Sequence, residues 1–400
     1  MTLLNKLSLS HPSARWQANH FTVLAIVVLL VGLLLRLVLP FRGFNYDIES
    51  WKIAADIMAH GGNVYGETGR YNYGPIWFHI LHGLDVIPGT GFGEFFAFRY
   101  KVAAFLTCVD VAIFVILLRR FNVLVAALFF LSPISFIITG LHSQMDNLAV
   151  LFGLVSILFL EKSKRIDIFF VLGLLLLALS LSTKHLLFFL PIWLAFKQAR
   201  WSQKLLIVGI PYAIFLGLFV PYWELGQTGI INNVFLYRSF NNAPFWTVFA
   251  PGILLKVLPP VILFFSALFV LGLVWRKKPL LETYFLYLIS VVVFSSAIAN
   301  QYLAIPTSAI ATQWNWAYAL FTAFSTVYLS VDWAGLSIGM VQRLLHWQGQ
   351  NGYYPAIAFL FIGLLVQVLP LERRQACWSK IRQGLCWFWQ EIREQFKAPW

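Results

Sequence analysis

The chain has 400 residues, 60% of them hydrophobic and only 11% charged, and its 29 Lys and Arg against 16 Asp and Glu give a formal net charge of +13. A soluble domain carries about a quarter of its residues as charges, so a mean hydropathy of +0.76 points to a polytopic membrane protein. The basic residues fall in short turns between apolar runs, so topology explains the charge better than nucleic-acid binding does.

Apolar runs at 21–39, 102–118, 123–141 and 261–275 approach or reach the roughly 20 residues that cross a hydrocarbon layer of about 30 Å. The whole pattern predicts an all-α fold of about ten to twelve transmembrane helices in one membrane domain, residues 1–370. The 21–39 run lacks a small-residue cleavage site and has Arg36 and Arg42 close to its far end, which reads as a retained signal anchor. Cys108, Cys377 and Cys386 are scattered, with neither metal spacing nor a disulfide framework.

The segment 41–99 is the long polar interruption. Within it Ile48, Trp51, Ala55 and Met58 share one helical face while Glu49, Lys52, Asp56 and His60 share another, the pattern of a short interfacial helix. Asp47 stands where it can cap that helix, and Gly61, Gly62 and Asn63 end it. Tyr65, Gly69, Tyr71, Tyr73, Gly74 and Pro75 then lead into a second interfacial segment.

Arg119 and Arg120, the stretch 161–165, Lys197 with Arg200 and Lys204, and the stretch 276–278 mark cytoplasmic turns. The loops 41–99, 142–146, 182–185, 224–250 and 300–302 then face outward. Beyond Tyr302, residues 305–312 read as a half-helix breaking at 313–315. The tail 371–400 interleaves Arg373, Arg374, Lys380, Arg382, Arg393 and Lys397 with Trp378, Trp387, Phe388 and Trp389, which suits a basic amphipathic helix on an anionic leaflet.

The outward side collects the residues with chemistry. Asp47 and Glu49 are either helix-terminal carboxylates or a general base facing the exterior. His142, Gln144 and Asp146 interrupt two apolar runs with more polar residues than a tight turn needs. Lys184 and His185, flanked by apolar residues, either snorkel to head groups or need an anion beside them, and a phosphate is a suitable one. Arg238, with Asn241 and Asn242, and Gln301 with Tyr302 add further polar groups. Asp110, inside the second span, is either a satisfied interhelical hydrogen-bond acceptor or a transport group.

Tyr46-Asp47-Ile48-Glu49 with Trp51, Asn63-Val64-Tyr65 and Tyr71-Asn72-Tyr73-Gly74-Pro75 resemble the first outer loop of GT-C type glycosyltransferases. The likeness is to the mannosyltransferase that adds the first mannose to glycosylphosphatidylinositol, with an Asp-x-Asp element before Tyr-x-Tyr-x-Pro. Stretches 142–147 and 184–191 look more like dolichyl-phosphate-glucose-dependent glucosyltransferases. Glu49 departs from the second Asp of that pattern, and Gly74 from its Thr or Pro.

The resemblance implies a hexosyltransferase of GT-C type that moves mannose or glucose from a polyprenyl-phosphate donor to a lipid or glycan acceptor at the non-cytoplasmic face of a membrane, with a prokaryotic plasma membrane mildly favoured by the short loops. In its terms Asp47 is the general base and Glu49 assists. Lys184, with His185 or Arg238, holds the phosphate, and His142, Gln144, Asp146 and Gln301, together with Tyr302 and Tyr73, line the sugar pocket. No metal ligand and no cofactor is assigned, and the sequence has no GxGxxG element or P-loop for a nucleotide sugar. A transporter or glycolipid flippase is the alternative, disfavoured because the polar groups gather on one side and not at the midplane.

Overall fold

The computed structural model describes residues 14–89, 93–163, 165–237, 243–250, 252–332, 335–345 and 349–369, and among them every regular element is helical. The tail 371–400 and Arg238, Asn241 and Asn242 lie outside the described residues. Three helical stretches are long and apolar enough to cross a membrane, Phe21–Phe41, Glu94–Arg120 and Trp201–Phe235. Two bent pairs pass the same test, Val123–Phe130 with Pro133–His142 at 46° and Ile168–Thr183 with His185–Phe196 at 118°. This is fewer full-length spans than the hydropathy alone predicts. Helices of 14–16 residues such as Leu280–Val293 and Trp316–Val331 rise only about 21–24 Å.

The elements that matter for the site are α1 (Ala14–Val38), α2 (Asp47–Ala59), α3 (Pro75–Asp85), α4 (Glu94–Arg120), α5 (Val123–Phe130), α6 (Pro133–Ile137), α7 (Asp146–Lys162), α8 (Ile168–Thr183), α9 (Leu190–Phe196), α10 (Trp201–Gly217), α11 (Pro260–Val274), α12 (Leu280–Val293), α13 (Thr307–Thr312), α14 (Trp316–Val331) and α15 (Tyr353–Val368). Helices α7 and α8 form a closely packed hairpin. Basic turns collect at one end of the bundle, where Arg120 pairs with Glu161 and Lys197 donates to the carbonyl of Arg276 at 2.9 Å. Cations suit the carbonyl-rich C-termini of α4 and α9 that they sit on.

The opposite end holds the loop 41–89, which is folded into the bundle and not merely laid on its surface. Trp51 and Trp77 are buried and meet edge to face at 5.0 Å, and Tyr65, Tyr71 and Phe78 make a second aromatic cluster with Tyr222. Such edge-to-face pairs add about 0.5–1.5 kcal/mol each beyond the area they bury. Tyr71 donates its hydroxyl to the Gly74 carbonyl at 2.8 Å and accepts from the Phe78 N–H, so one phenol pins the turn that starts α3.

Gly74 itself touches α8. A Cβ there would stand 1.9 Å from the Ser182 carbonyl oxygen, so glycine is what lets the Tyr-rich turn lie against the end of α8.

The expected half-helix after Tyr302 is present. A 3-10 turn, Asn300–Ala304, leads into α13, the chain breaks at 313–315, and the Asn315 side chain accepts from the Ala317 and Tyr318 N–H groups to start α14. Asn300 is gripped from both returning elements, donating to Asp332 at 2.7 Å and accepting the Tyr353 hydroxyl.

Inside the bundle lies a buried ion pair. Arg36 of α1 donates Nε to Asp110 of α4 at 2.8 Å, and its other nitrogens reach the carbonyls of Gly32 and Phe130 and the Ser135 hydroxyl. Asp110 also accepts from Thr139 at 2.8 Å and Asn147 at 2.6 Å. Asp110 is thus the satisfied interhelical acceptor, with Arg36 as its counter-ion. A buried charge pair is tolerable only when its remaining valences are filled this way.

Candidate functional site

The polar end begins with the entry to α2. Asp47 is the first residue of that helix, and its N–H is accepted by the Asn45 side chain at 3.1 Å. The expected capping by Asp47 is therefore not what happens: Asn45 takes up a helix-terminal N–H, and the Asp47 carboxylate turns instead to Gln144, whose Nε2 donates to it at 2.6 Å. Local spacing favours either residue as a cap. The cross-chain amide of Gln144 decides which carboxylate is left for chemistry.

Gln144 comes from an irregular turn. After α6 the backbone widens into a π-helical turn, Ile138–His142, and then passes through Ser143 in the left-handed region at φ 53°. A non-glycine residue there costs about 1–3 kcal/mol and persists only where its surroundings hold it; π turns gather at functional sites. Its effect is to aim His142, Ser143 and Gln144 inward, all buried. His142 Nδ1 lies 3.1 Å from the Asn45 amide nitrogen, while His142 Nε2, Ser143 Oγ and Gln144 Oε1 have no partner among the described residues. Nearly every buried polar atom is hydrogen-bonded in a folded protein, so three orphans on successive residues mark a place for an external polar ligand.

Helix α7 then starts with Asp146, and Asn147 ties its first turn to Asp110 below. Lys184 ends α8 in an extended conformation and donates to both Asp146 oxygens, at 2.7 and 2.8 Å. The ammonium also lies over the rings of Tyr73 at 5.5 Å and Tyr302 at 5.4 Å, within cation–π range. The anion that Lys184 requires is therefore Asp146, a residue that the family resemblance assigns to the sugar pocket.

Tyr73 lies within electrostatic reach of Asp47, Asp146, Tyr302 and Tyr237. Burial, reinforced by the charges of Asp47 and Asp146, holds its phenol well above the usual tyrosine range. It stays neutral and able to donate. Asp47, Gln144, Asp146, Lys184, Tyr73 and Tyr302 thus form one cluster, with His142 attached through Asn45.

Other predicted residues fall outside it. Glu49 is turned to Arg70 at 3.4 Å, whose guanidinium also stacks on Tyr46 and donates to Ser50. A helical step of two residues is about 200°, which carries position 49 away from position 47. His185 adjoins Lys184 on a 3-10 turn, half-buried, and its ring makes no hydrogen bond with a described residue. Gln301 is half-buried beside Tyr302, with no side-chain partner among the described residues. Asn45 and Asn147 were missed by the sequence reading, since a single Asn beside a helix start carries no signal of what it will reach.

Two cavities lie elsewhere. One of about 240 Å³ is lined by Leu160, Ser163, Arg165, Gln198 and Gln203 at the basic end, and one of about 400 Å³ by Asp85, Ile87, Glu94 and Lys101. Neither is lined by a residue of the Asp47–Lys184 cluster. Among the described residues no three His, Cys, Asp or Glu side chains gather closely enough to hold a metal ion. No family model, no curated protein and no solved structure matches this chain.

Proposed function

We propose that the chain is a membrane glycosyltransferase that takes a hexose from a polyprenyl-phosphate donor. The observation that supports this reading is that Asp47, held by Gln144, and the Lys184–Asp146 pair lie within electrostatic reach of each other and of the buried phenol of Tyr73 in an apolar helical bundle. A lipid-linked sugar already has a good leaving group, so the protein must remove one proton and hold one developing charge.

In this scheme Asp47 accepts the proton of an acceptor hydroxyl as that oxygen bonds to the anomeric carbon. The bond from that carbon to the phosphate oxygen breaks, and its electron pair leaves on the polyprenyl phosphate. Gln144 fixes the Asp47 carboxylate, and neutral Tyr73 and Lys184 face the departing anion. Lys184 is shared with Asp146, which places the cation without leaving it bare before substrate arrives. The unpartnered atoms of His142, Ser143 and Gln144 suit sugar hydroxyls. Hexose identity, acceptor and the side of the membrane belong to the same proposal.

The test is Asp47→Asn, assayed as purified protein in lipid with polyprenyl-phosphate mannose and glucose, new glycosidic bonds being read by mass spectrometry. Loss of transfer by a folded variant is expected, and full turnover by the variant refutes the assignment. Movement of the glycolipid across proteoliposomes with no new bond would establish a flippase instead.

A further inference from the structure

We propose that Arg99 is the head-group site for a phosphate-bearing membrane amphiphile. Arg99 lies near the start of α4 with only 4% of its surface exposed, and Nε and Nη2 have no hydrogen-bond partner among the described residues. No carboxylate of a described residue comes within ion-pair distance of it. Its guanidinium is flanked by the rings of Phe44 at 5.4 Å and Phe96 at 5.8 Å.

Arg36 supplies the comparison within the same fold. It is the other buried guanidinium among the described residues, and each of its nitrogens is bonded, to a carboxylate, two carbonyls and a hydroxyl. A buried cation without such acceptors is costly, and two phenylalanine faces recover only part of the loss. The fork of N–H groups matches a phosphate in geometry and charge.

The surroundings specify that the anion has a lipid tail. Phe41, 55% exposed, meets Phe96 and Tyr100 in tilted ring contacts, and Phe44 packs edge to face on Phe95. The adjoining face of α1, with Leu34 and Val38 exposed, continues as an apolar strip, and only 17% of the α1 apolar window is buried inside the fold. A phosphate on Arg99 can therefore lay its chain along α1. Phe44 is three residues from Asp47, and Asn45 between them holds His142, so the head group lies beside the cluster without using any of its residues. A prenyl phosphate and a bilayer phospholipid share this chemistry, and binding needs no sugar, so the inference stands apart from the transfer reading.

Dissociation constants for farnesyl phosphate, dioleoyl phosphatidic acid, farnesol and inorganic phosphate, measured by tryptophan fluorescence on the full chain in detergent, test it. One or both phosphate amphiphiles are expected to bind, to weaken at least tenfold in Arg99→Gln and to be largely retained in Arg99→Lys. The tighter of the two identifies a prenyl or a bilayer source. Equal binding by wild type and a folded Arg99→Gln, or equal affinity for farnesol, overturns the site, and equal affinity for inorganic phosphate overturns the amphiphile. Should Arg99→Gln not fold, a diazirine farnesyl phosphate on the wild-type protein decides: label on Phe44 or residues 94–101 supports the site, and label confined elsewhere overturns it. A wild-type protein that binds through Arg99 and transfers no sugar keeps this site while removing the transferase.

Discussion

Replacing Asp110 by Leu removes the carboxylate paired with Arg36 and strands four donors at once: Arg36 Nε, the Thr139 and Ser135 hydroxyls and the Asn147 amide. Both members of the pair are fully buried. Deleting one partner of a buried pair costs about 3–5 kcal/mol. Here Arg36 keeps the carbonyls of Gly32 and Phe130 and the Ser135 hydroxyl, which argues for the lower half, about 3–4 kcal/mol. The double variant Arg36→Met with Asp110→Leu leaves no buried charge and is expected within about 1–2 kcal/mol of wild type. The assay is reversible unfolding in mixed micelles of rising dodecyl sulfate fraction, followed by tryptophan fluorescence, run as a double-mutant cycle. Because Asn147 ties the first turn of α7 to Asp110, the single variant should also loosen Asp146 and slow any activity the site supports. A single-variant cost below about 1 kcal/mol, or a double variant as unstable as the two singles added, refutes the reasoning that this pair is coupled and needs its partner.

Gly74→Ala forces a methyl against the Ser182 backbone carbonyl, which cannot rotate away. Overpacking of this kind costs about 1–3 kcal/mol, and the displaced Tyr73 should lower activity together with thermal stability; an unchanged melting temperature counts against the close approach. Glu49→Gln breaks only a half-exposed ion pair with Arg70, so it should cost less than about 1 kcal/mol and leave activity near wild type, whereas loss comparable to Asp47→Asn would show that Glu49 does chemistry. Burial, then the neighbouring His82, holds His79 below its ordinary 6.5, and its ring lies 2.7 Å from the Tyr222 hydroxyl. The undocked segment therefore binds protons more readily, so the docking of α3 is at full strength above about pH 6.5 and falls as acid protonates His79 through its lower folded value. Protection factors of the α3 amides, taken against intrinsic exchange at each pH, should fall as the pH drops below about 6.5 and lose that dependence in His79→Gln; protection factors that stay flat with pH in the wild type oppose this.

Long apolar runs, the basic turns and the position of the polar interruption at 41–99 were legible in the sequence, because hydropathy and helical periodicity are local properties that each segment carries by itself. So were the half-helix after Tyr302 and its break. Which polar group meets which was not legible, because partners such as Arg36 and Asp110, or Asp146 and Lys184, stand 74 and 38 positions apart and meet only through helix packing. Packing alone gave Lys184 an internal anion, turned Glu49 toward Arg70, made Asn45 the residue that accepts the α2 N–H so that Asp47 is left to Gln144, and buried Arg99 with no acceptor for Nε and Nη2 among the described residues.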